Sequence, residues 1–221
     1  MGDIDTRSVT RAYARWAPVY DVVFGKVFEA GRRASIDAAE LACGPQGGRI
    51  LEVGVGTGIS LPAYRRVQRL VGCDISAPML RKAVERVHAH KLDNVELLAV
   101  MDAERMPLPD ASFDVVVAQF VITAVPHPEG TLDEFVRVTR PGGEIILVNH
   151  IGAEQGLRYA FERCFAPVAR RLGWRPEFPF ARLSGWAERH GGVRLIERRP
   201  MPPLGHFSLV RFARIESPAA V

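Results

Sequence analysis

The 221-residue chain predicts an α/β fold: a doubly wound, mostly parallel sheet, with helices ahead of it and a helical insertion before its last two strands. Three observations lead there. Composition comes first: 48% hydrophobic and 24% charged residues suit one well-cored globular domain. The second is the stretch Arg49-Ile50-Leu51-Glu52-Val53-Gly54-Val55-Gly56-Thr57-Gly58-Ile59-Ser60. Its mostly apolar start reads as a parallel strand covered on both faces, and its glycines let the backbone turn sharply and approach a ligand closely. A nucleotide-like ligand is implied, although a tight turn with no ligand satisfies the glycines alone. A dinucleotide site wants its third glycine at 59, where this chain has Ile59. The third observation is the regular alternation of strands and helices that follows, with a polar residue at the end of each strand.

Taken in order, residues 6–17 suit a short helix with Arg7, Arg11 and Arg15 along one side and Val9, Tyr13, Trp16 and Ala17 on the other, ended or kinked by Pro18. A second helix over about 21–42 carries Phe24, Val27 and Phe28 with Lys26, Arg32 and Arg33 interleaved, and the glycines from Gly44 to Gly48 close it. Such a basic, aromatic-bearing helix either lies in a lipid interface or caps the core. Residues 70–73 form a strand ending at Asp74, placed to accept hydrogen bonds from ribose hydroxyls. Ser76 reads as the N-cap of the next helix, with Pro78 in its first turn. Residues 95–100 form a third strand that delivers Asp102, and residues 113–117 a fourth that leads to Gln119. Residues 128–140 read as a helix stopped by Pro141-Gly142-Gly143, and 144–149 as a fifth strand ending at His150.

The remainder leaves that rhythm. Residues 155–172 make an amphipathic helix bearing Arg158, Arg163, Arg170 and Arg171, and a proline-broken stretch from Trp174 to Phe180 follows. A short helix over 184–189 and strands over 193–198 and 207–215 complete the chain, with residues 200–206 between the strands. The expected organisation is one domain: a helical cap at 1–48, a ligand-binding core at 49–150, and an insertion with the last strands at 151–221.

Charge divides along the chain. Residues 1–35 hold six Lys/Arg against four Asp/Glu, residues 36–149 hold 11 against 15, and residues 150–221 hold 12 against six. An acidic core between basic flanks points the flanks at an anionic partner, nucleic acid or membrane headgroups, unless the arginines are merely solvated. No secretory leader is legible, since Asp3 and Asp5 stand where a basic leader belongs, and no apolar run is long enough to span a membrane. Cys43, Cys73 and Cys164, odd in number and widely spaced, read as free thiols in a reducing compartment, with no metal site. A cytosolic protein is expected.

With Glu52-x-Gly54-x-Gly56-x-Gly58, Asp74, Asp102-Ala103-Glu104 and the run from Met106 to Asp114, then Arg140-Pro141-Gly142-Gly143-Glu144, the chain resembles the class I S-adenosylmethionine-dependent methyltransferases. The resemblance covers about residues 49–150. It implies that Glu52 and the loop at Gly54, Gly56 and Gly58 hold the methionine end of the cofactor, and that Asp74 binds the ribose. It also implies that Ile75 and Met79 pack the adenine, that Asp102 and Ala103 bind its amino edge, and that Gln119 borders the sulfonium. The flanks narrow the likeness. Tyr13 to Asp21, Phe24, the loop from Gly58 to Tyr64 and the tail from His206 to Arg211 resemble the bacterial phosphatidylethanolamine N-methyltransferases, which implies up to three transfers towards phosphatidylcholine at a membrane surface. Quinone-ring C-methyltransferases share much of the core and remain the alternative, and an inert cofactor- or membrane-binding module is the third reading. A nucleic-acid base is disfavoured as acceptor, because Gln119-Phe120-Val121-Ile122 stands where such enzymes carry an N-P-P-Y-like motif.

An amine acceptor sets its own demands. Aligning nucleophile and methyl group supplies roughly 7–11 kcal/mol, and deprotonating a primary ammonium at neutral pH costs about 4 kcal/mol. Tyr20 and His150 are the expected acceptors of that proton. Tyr13, Trp16, Tyr20 and Phe24 would stabilise a methylated cation through their ring faces. Lys26 or Arg182 would take the lipid phosphate. The basic N-terminal and 155–172 helices are the expected membrane contacts, and no nucleic acid is expected as a partner.

Overall fold

The computed structural model describes residues 28–151, 178–202, 205 and 207–215. In order these form α1 (Glu29–Cys43), β1 (Arg49–Val53), a 3-10 turn (Leu61–Ala63), β2 (Arg69–Asp74), α2 (Ala77–Ala89), β3 (Val95–Val100) and β4 (Phe113–Gln119). Then come α3 (Pro128–Val138), β5 (Thr139–His150), α4 (Phe180–His190), β6 (Val193–Met201) and β7 (Phe207–Arg214). The helices expected over 6–17 and 155–172 lie outside the described residues, as does the part of the second helix before Phe28.

The seven strands lie in the order β3-β2-β1-β4-β5-β7-β6. Strands β1 to β5 run parallel, while β7 lies antiparallel between β5 and β6. Chain order therefore reverses direction between β1 and β4, which opens a crevice at their carboxyl ends. The central strands are buried on both faces, as their unbroken apolar runs require. Ile50, Val115, Val117, Ile146 and Val148 face α1 and α2, whereas Leu51, Val116, Ile145 and Leu147 face α3 and α4.

Element boundaries depart from the sequence reading where tertiary pairing outweighs local signals. Helix α3 stops at Val138 rather than 140, because Thr139 turns extended and pairs with Phe113, and its hydroxyl donates to the Phe135 carbonyl at 2.7 Å. The glycine pair thus sits inside β5, where a Cβ on Gly143 would come within 2.6 Å of the Asp114 carbonyl. Helix α4 starts at Phe180, four residues before Ser184. Pro179 supplies an extended lead-in, and the helix docks on α3 through Trp186 Nε1 donating to Asp133 at 2.7 Å. Strand β6 runs on through Pro200 and Met201 because Ser208 and Phe207 of β7 pair with them. Ser76 does occupy the N-cap position of α2, but its hydroxyl caps nothing; instead its backbone N–H donates to Asp74 Oδ1 at 2.8 Å.

The segment between β3 and β4 has no helix, and Arg137 anchors much of it. Arg137 donates to both oxygens of Glu134 at 2.7 and 2.8 Å, to Asp110 at 2.5 Å, and to the carbonyls of Leu108 and Met106 at 2.8 and 2.9 Å. Glu134 in turn accepts the Met106 N–H at 2.6 Å. Arg137→Ala strands these groups and is expected to cost about 2–3 kcal/mol. Urea unfolding checks this, and Arg137→Lys, with one donor centre in place of a fork, is expected to recover less than half of the loss.

Candidate functional site

A cleft lies over the carboxyl ends of β1, β2, β3 and β4, roofed on one side by the first turns of α1. The turn after β1 forms its floor. Gly54 and Val55 N–H groups both donate to the Cys73 carbonyl, at 2.8 and 3.0 Å, so the turn is sewn to the end of β2. The three glycines serve different ends. A Cβ on Gly54 would meet Val121 at 2.2 Å, and one on Gly58 would meet Ala83 and Leu61 at 3.0 Å, so both permit close packing. Gly56, at φ +56°, has no atom closer than 4.0 Å to such a Cβ, and its open side faces the cleft. Gly58 itself does not line the cleft; it lets the loop settle on α2.

Glu52 sits at 2% exposure on β1, on the face covered by α1. Its Oε1 accepts the Ser60 hydroxyl. The Tyr64 hydroxyl lies near enough to the carboxylate to favour its ionised form, yet neither it nor Glu52 Oε2 finds a partner at hydrogen-bonding geometry. Burial pushes the carboxyl up to about 7, opposed by the Ser60 and Tyr64 hydroxyls and, through space, by Arg32. Asp74 ends β2, and its two oxygens accept the N–H groups of Gly56 at 2.9 Å and Ser76 at 2.8 Å. It therefore braces the glycine turn against the start of α2 while leaving lone pairs toward the cleft. Burial raises its pKa, and these backbone donors pull the other way. The Ser76 hydroxyl is buried at the cleft wall and has no partner.

The β4 side is aromatic. Gln119 Nε2 donates to Ser35 of α1 at 3.1 Å. Phe120 follows with φ +62°, its N–H bonded to the Val148 carbonyl at 2.6 Å. Its ring stacks on Phe28 at 4.1 Å, and both rings meet the edge of Phe207 at 5.4 Å. Phe28 and Phe120 line the cleft.

Of the residues expected at a site, Glu52, Gly54, Gly56, Asp74, Ile75, Met79, Asp102, Ala103 and Gln119 come together around this one cleft. His150 stands one ring behind it, perpendicular to Phe207 at 6.3 Å between ring centroids. Arg182 is not in the cleft wall. Its guanidinium is paired with Glu129 at 2.5 and 2.6 Å, where it ties α4 to α3. Tyr13, Trp16, Tyr20, Phe24 and Lys26 lie outside the described residues. Sequence reasoning missed Arg32, Ser76 as a wall residue, and Phe120, all in the cleft wall. A signal for Phe120 existed in its place just past a strand end, but helical spacing alone does not tell Arg32 from Arg33. Among the described residues no His, Cys, Asp and Glu cluster suits a metal ion.

Comparison with known proteins agrees with this geometry. A methyltransferase-domain family profile matches residues 51–147. The phosphatidylethanolamine N-methyltransferase of Cereibacter sphaeroides is 42% identical over 207 residues, covering 94% of this chain and 98% of that one. A demethylmenaquinone methyltransferase of a Roseiflexus species is 30% identical over 178 residues, covering 76% of this chain and 73% of its own. Among solved structures, a SAM-dependent methyltransferase from Aquifex aeolicus superposes with a TM-score of 0.62 at 19% identity, covering 85% of this chain and 90% of that one.

The buried carboxyl makes stability depend on pH. Glu52 keeps its proton up to about pH 7 in the folded, ligand-free chain, whereas its ordinary value is 4.5. The folded state thus binds the extra proton, and stability falls as pH rises from about 4.5 to 7, by about 3 kcal/mol at 1.36 kcal/mol per pH unit. Glu52→Gln is expected to flatten that decline and to be the more stable protein at pH 8. Urea titrations at pH 5 and pH 8 decide, and an equally steep decline in the variant would assign the effect to another group.

Proposed function

We propose that this chain, which belongs to the S-adenosylmethionine-dependent methyltransferase family that includes the Cereibacter sphaeroides phosphatidylethanolamine N-methyltransferase, methylates the amine of phosphatidylethanolamine and of its partly methylated forms, towards phosphatidylcholine. What carries the choice of acceptor is that the likeness to that enzyme runs through both flanks of the sheet core and is closer than the likeness to the quinone enzymes. Its methyl donor is S-adenosyl-L-methionine, and S-adenosyl-L-homocysteine is the product. When bound, the donor supplies an electrophilic methyl group on a sulfonium sulfur.

The residues of the cleft fit that donor. The open side of Gly56 leaves room that a Cβ would take, and the partnerless Ser76 hydroxyl and Glu52 Oε2 are buried polar atoms that a polar ligand satisfies. In this reading Glu52 ionises against the ammonium of the methionine end, Asp74 accepts from the ribose hydroxyls, and Met79 and Ile75 pack the adenine. Asp102 and Ala103 hold its amino edge. Gln119, fixed by Ser35, borders the reacting carbon. The chain's work in the transfer step is alignment and exclusion of water, and Phe28, Phe120 and Phe207 form a dry wall beside Gln119. Tyr20 and His150 are the proposed acceptors of the proton that the ammonium must lose; His150, edge-on to Phe207 and outside the cleft lining, would reach it only with that ring moved aside. Lys26 and Arg182 are the proposed phosphate contacts, and Arg182 would have to exchange Glu129 for the lipid.

Contact with the bilayer is assigned to the surface. No helix among the described residues is long and apolar enough to cross a membrane; access to the lipid amine from the membrane surface is part of this proposal. Arg7, Arg11 and Arg15, with the basic 155–172 segment, are the proposed contacts with anionic headgroups.

Purified protein incubated with methyl-labelled S-adenosylmethionine and phosphatidylethanolamine vesicles is expected to yield labelled mono-, di- or trimethylated lipid. Labelling of a quinone precursor with the phospholipids left unlabelled would replace this reading with the quinone one. Reversing Arg7, Arg11 and Arg15 to Glu is expected to weaken co-sedimentation with anionic vesicles by on the order of a hundredfold, at roughly 1 kcal/mol per cation, with donor affinity unchanged. Undiminished sedimentation would move the contact to the 155–172 segment.

A further inference from the structure

Glu52 supplies one charge to the cleft, and α1 supplies the opposite one. Arg32 lines the same cleft, on the helix that covers the face to which Glu52 points. Several features fix the turn that carries it. Gly31 lets α1 lie close on β5, since a Cβ there would be 2.7 Å from Val148 Cγ1. Ser35 Oγ donates to the Arg32 carbonyl at 2.8 Å and accepts from Gln119 Nε2 at 3.1 Å, so the turn is tied to the end of β4. The Arg32 N–H closes on the Phe28 carbonyl at 2.9 Å, and Phe28 is itself cleft wall. Arg32 also acts on Glu52 through space, favouring its ionised form.

The two charges share one end of the cleft. Asp102 and Ala103 follow β3, which is three strands from β4, a separation of roughly 14 Å at about 4.8 Å per strand. That distance suits an elongated ligand with its base over β3 and its amino-acid end over β1 and β4. An amino-acid end is a zwitterion. Glu52 alone would satisfy its ammonium and leave its carboxylate desolvated without a counter-charge, whereas a guanidinium offers a planar fork matched to a carboxylate.

We infer that Arg32 binds the carboxylate of the methionine end of S-adenosylmethionine, opposite Glu52 on its ammonium. The inference rests on the cofactor assignment above and adds a residue that selects for the amino-acid end. It separates two ligands that share an adenosyl group. S-adenosylhomocysteine has the zwitterion, and 5′-methylthioadenosine lacks it.

Titration calorimetry at pH 8 with both ligands tests the assignment. The parent protein is expected to bind both. Arg32→Ala is expected to weaken S-adenosylhomocysteine by roughly ten- to a hundredfold, as for a lost charge-assisted pair, and 5′-methylthioadenosine by less than about threefold, within the scatter of ordinary mutational effects. Arg32→Lys keeps the charge without the fork and is expected to lie between; with Arg32→Gln it carries the same comparison should the alanine variant not fold. An equal loss for both ligands would mean a general effect on the cleft, and unchanged S-adenosylhomocysteine affinity with a raised KM for lipid vesicles would assign the guanidinium to the acceptor's phosphate. Either outcome overturns the inference. If the parent binds neither ligand, the cofactor assignment itself falls, which is a different failure from that of Arg32.

Discussion

A carboxyl group sealed in the middle of a parallel sheet is the constraint on which the rest of this molecule depends. Glu52 interrupts a strand whose neighbours Ile50, Leu51 and Val53 are at most 2% exposed, and burial among them disfavours its charged form. The chain answers locally: the 3-10 turn Leu61–Ala63 is bracketed by Ser60 and Tyr64, the two hydroxyl residues beside the carboxylate. These do not suffice, because one carboxylate oxygen keeps no partner. A folded chain that retains such a group gives up stability for a ligand that completes it. The incompleteness expected to make stability fall with rising pH is the same feature on which the proposed binding of the donor's ammonium rests.

Asp74 shows the same coupling in a milder form. By accepting the N–H groups of Gly56 and Ser76 it ties the turn after β1 to the start of α2, so the floor of the cleft is pinned at two points. A residue expected to serve only the ribose is thus also a structural brace. Loss of its side chain would unfix the glycine turn as well as remove the proposed ribose contact, and the two effects are separable only by comparing affinity with stability. Arg137 does the equivalent for the segment carrying Asp102 and Ala103, which has no helix of its own to anchor it.

The strands were legible because parallel strands buried on both faces are written as apolar runs, and the cleft residues that follow them were legible because ligands in such sheets sit at strand ends. What local signals could not reveal is which way a helix turns when it packs. Arg32 and Arg33 are adjacent cations in the sequence, yet one lines the cleft and the other is exposed beside the outer groove with Leu41 and Arg199. The difference comes from the close approach of α1 to β5 at Gly31, a contact between residues 117 positions apart (Gly31 to Val148). The start of α4 escaped for a related reason. Prolines at 176 and 179 read as breakers, although a proline immediately before a helix fixes its entry, and the burial of Leu183 and Trp186 against the α3 side of the sheet supplies the rest.

Phe120 carries the last step of this reasoning. A bulky residue at φ +62° is held in a conformation that costs roughly 1–3 kcal/mol, and it persists only if its surroundings over-determine it. They do so from both sides: its N–H is bonded to Val148 and its ring is stacked on Phe28 and edged by Phe207. The strained backbone turns the chain away from β4 just after Gln119 and keeps an apolar ring, not a polar backbone group, facing the cleft. The same three rings join α1, β4 and β7 into one wall. Because Phe28 lies one turn from Arg32 on α1, the position of the dry wall and the position of the charged end are set by the same helix. Displacing α1 would therefore disturb both the proposed grip of Arg32 on the donor's amino acid and the aromatic wall beside Gln119, so the seating of this helix on Val148 sets both ends of the cleft at once.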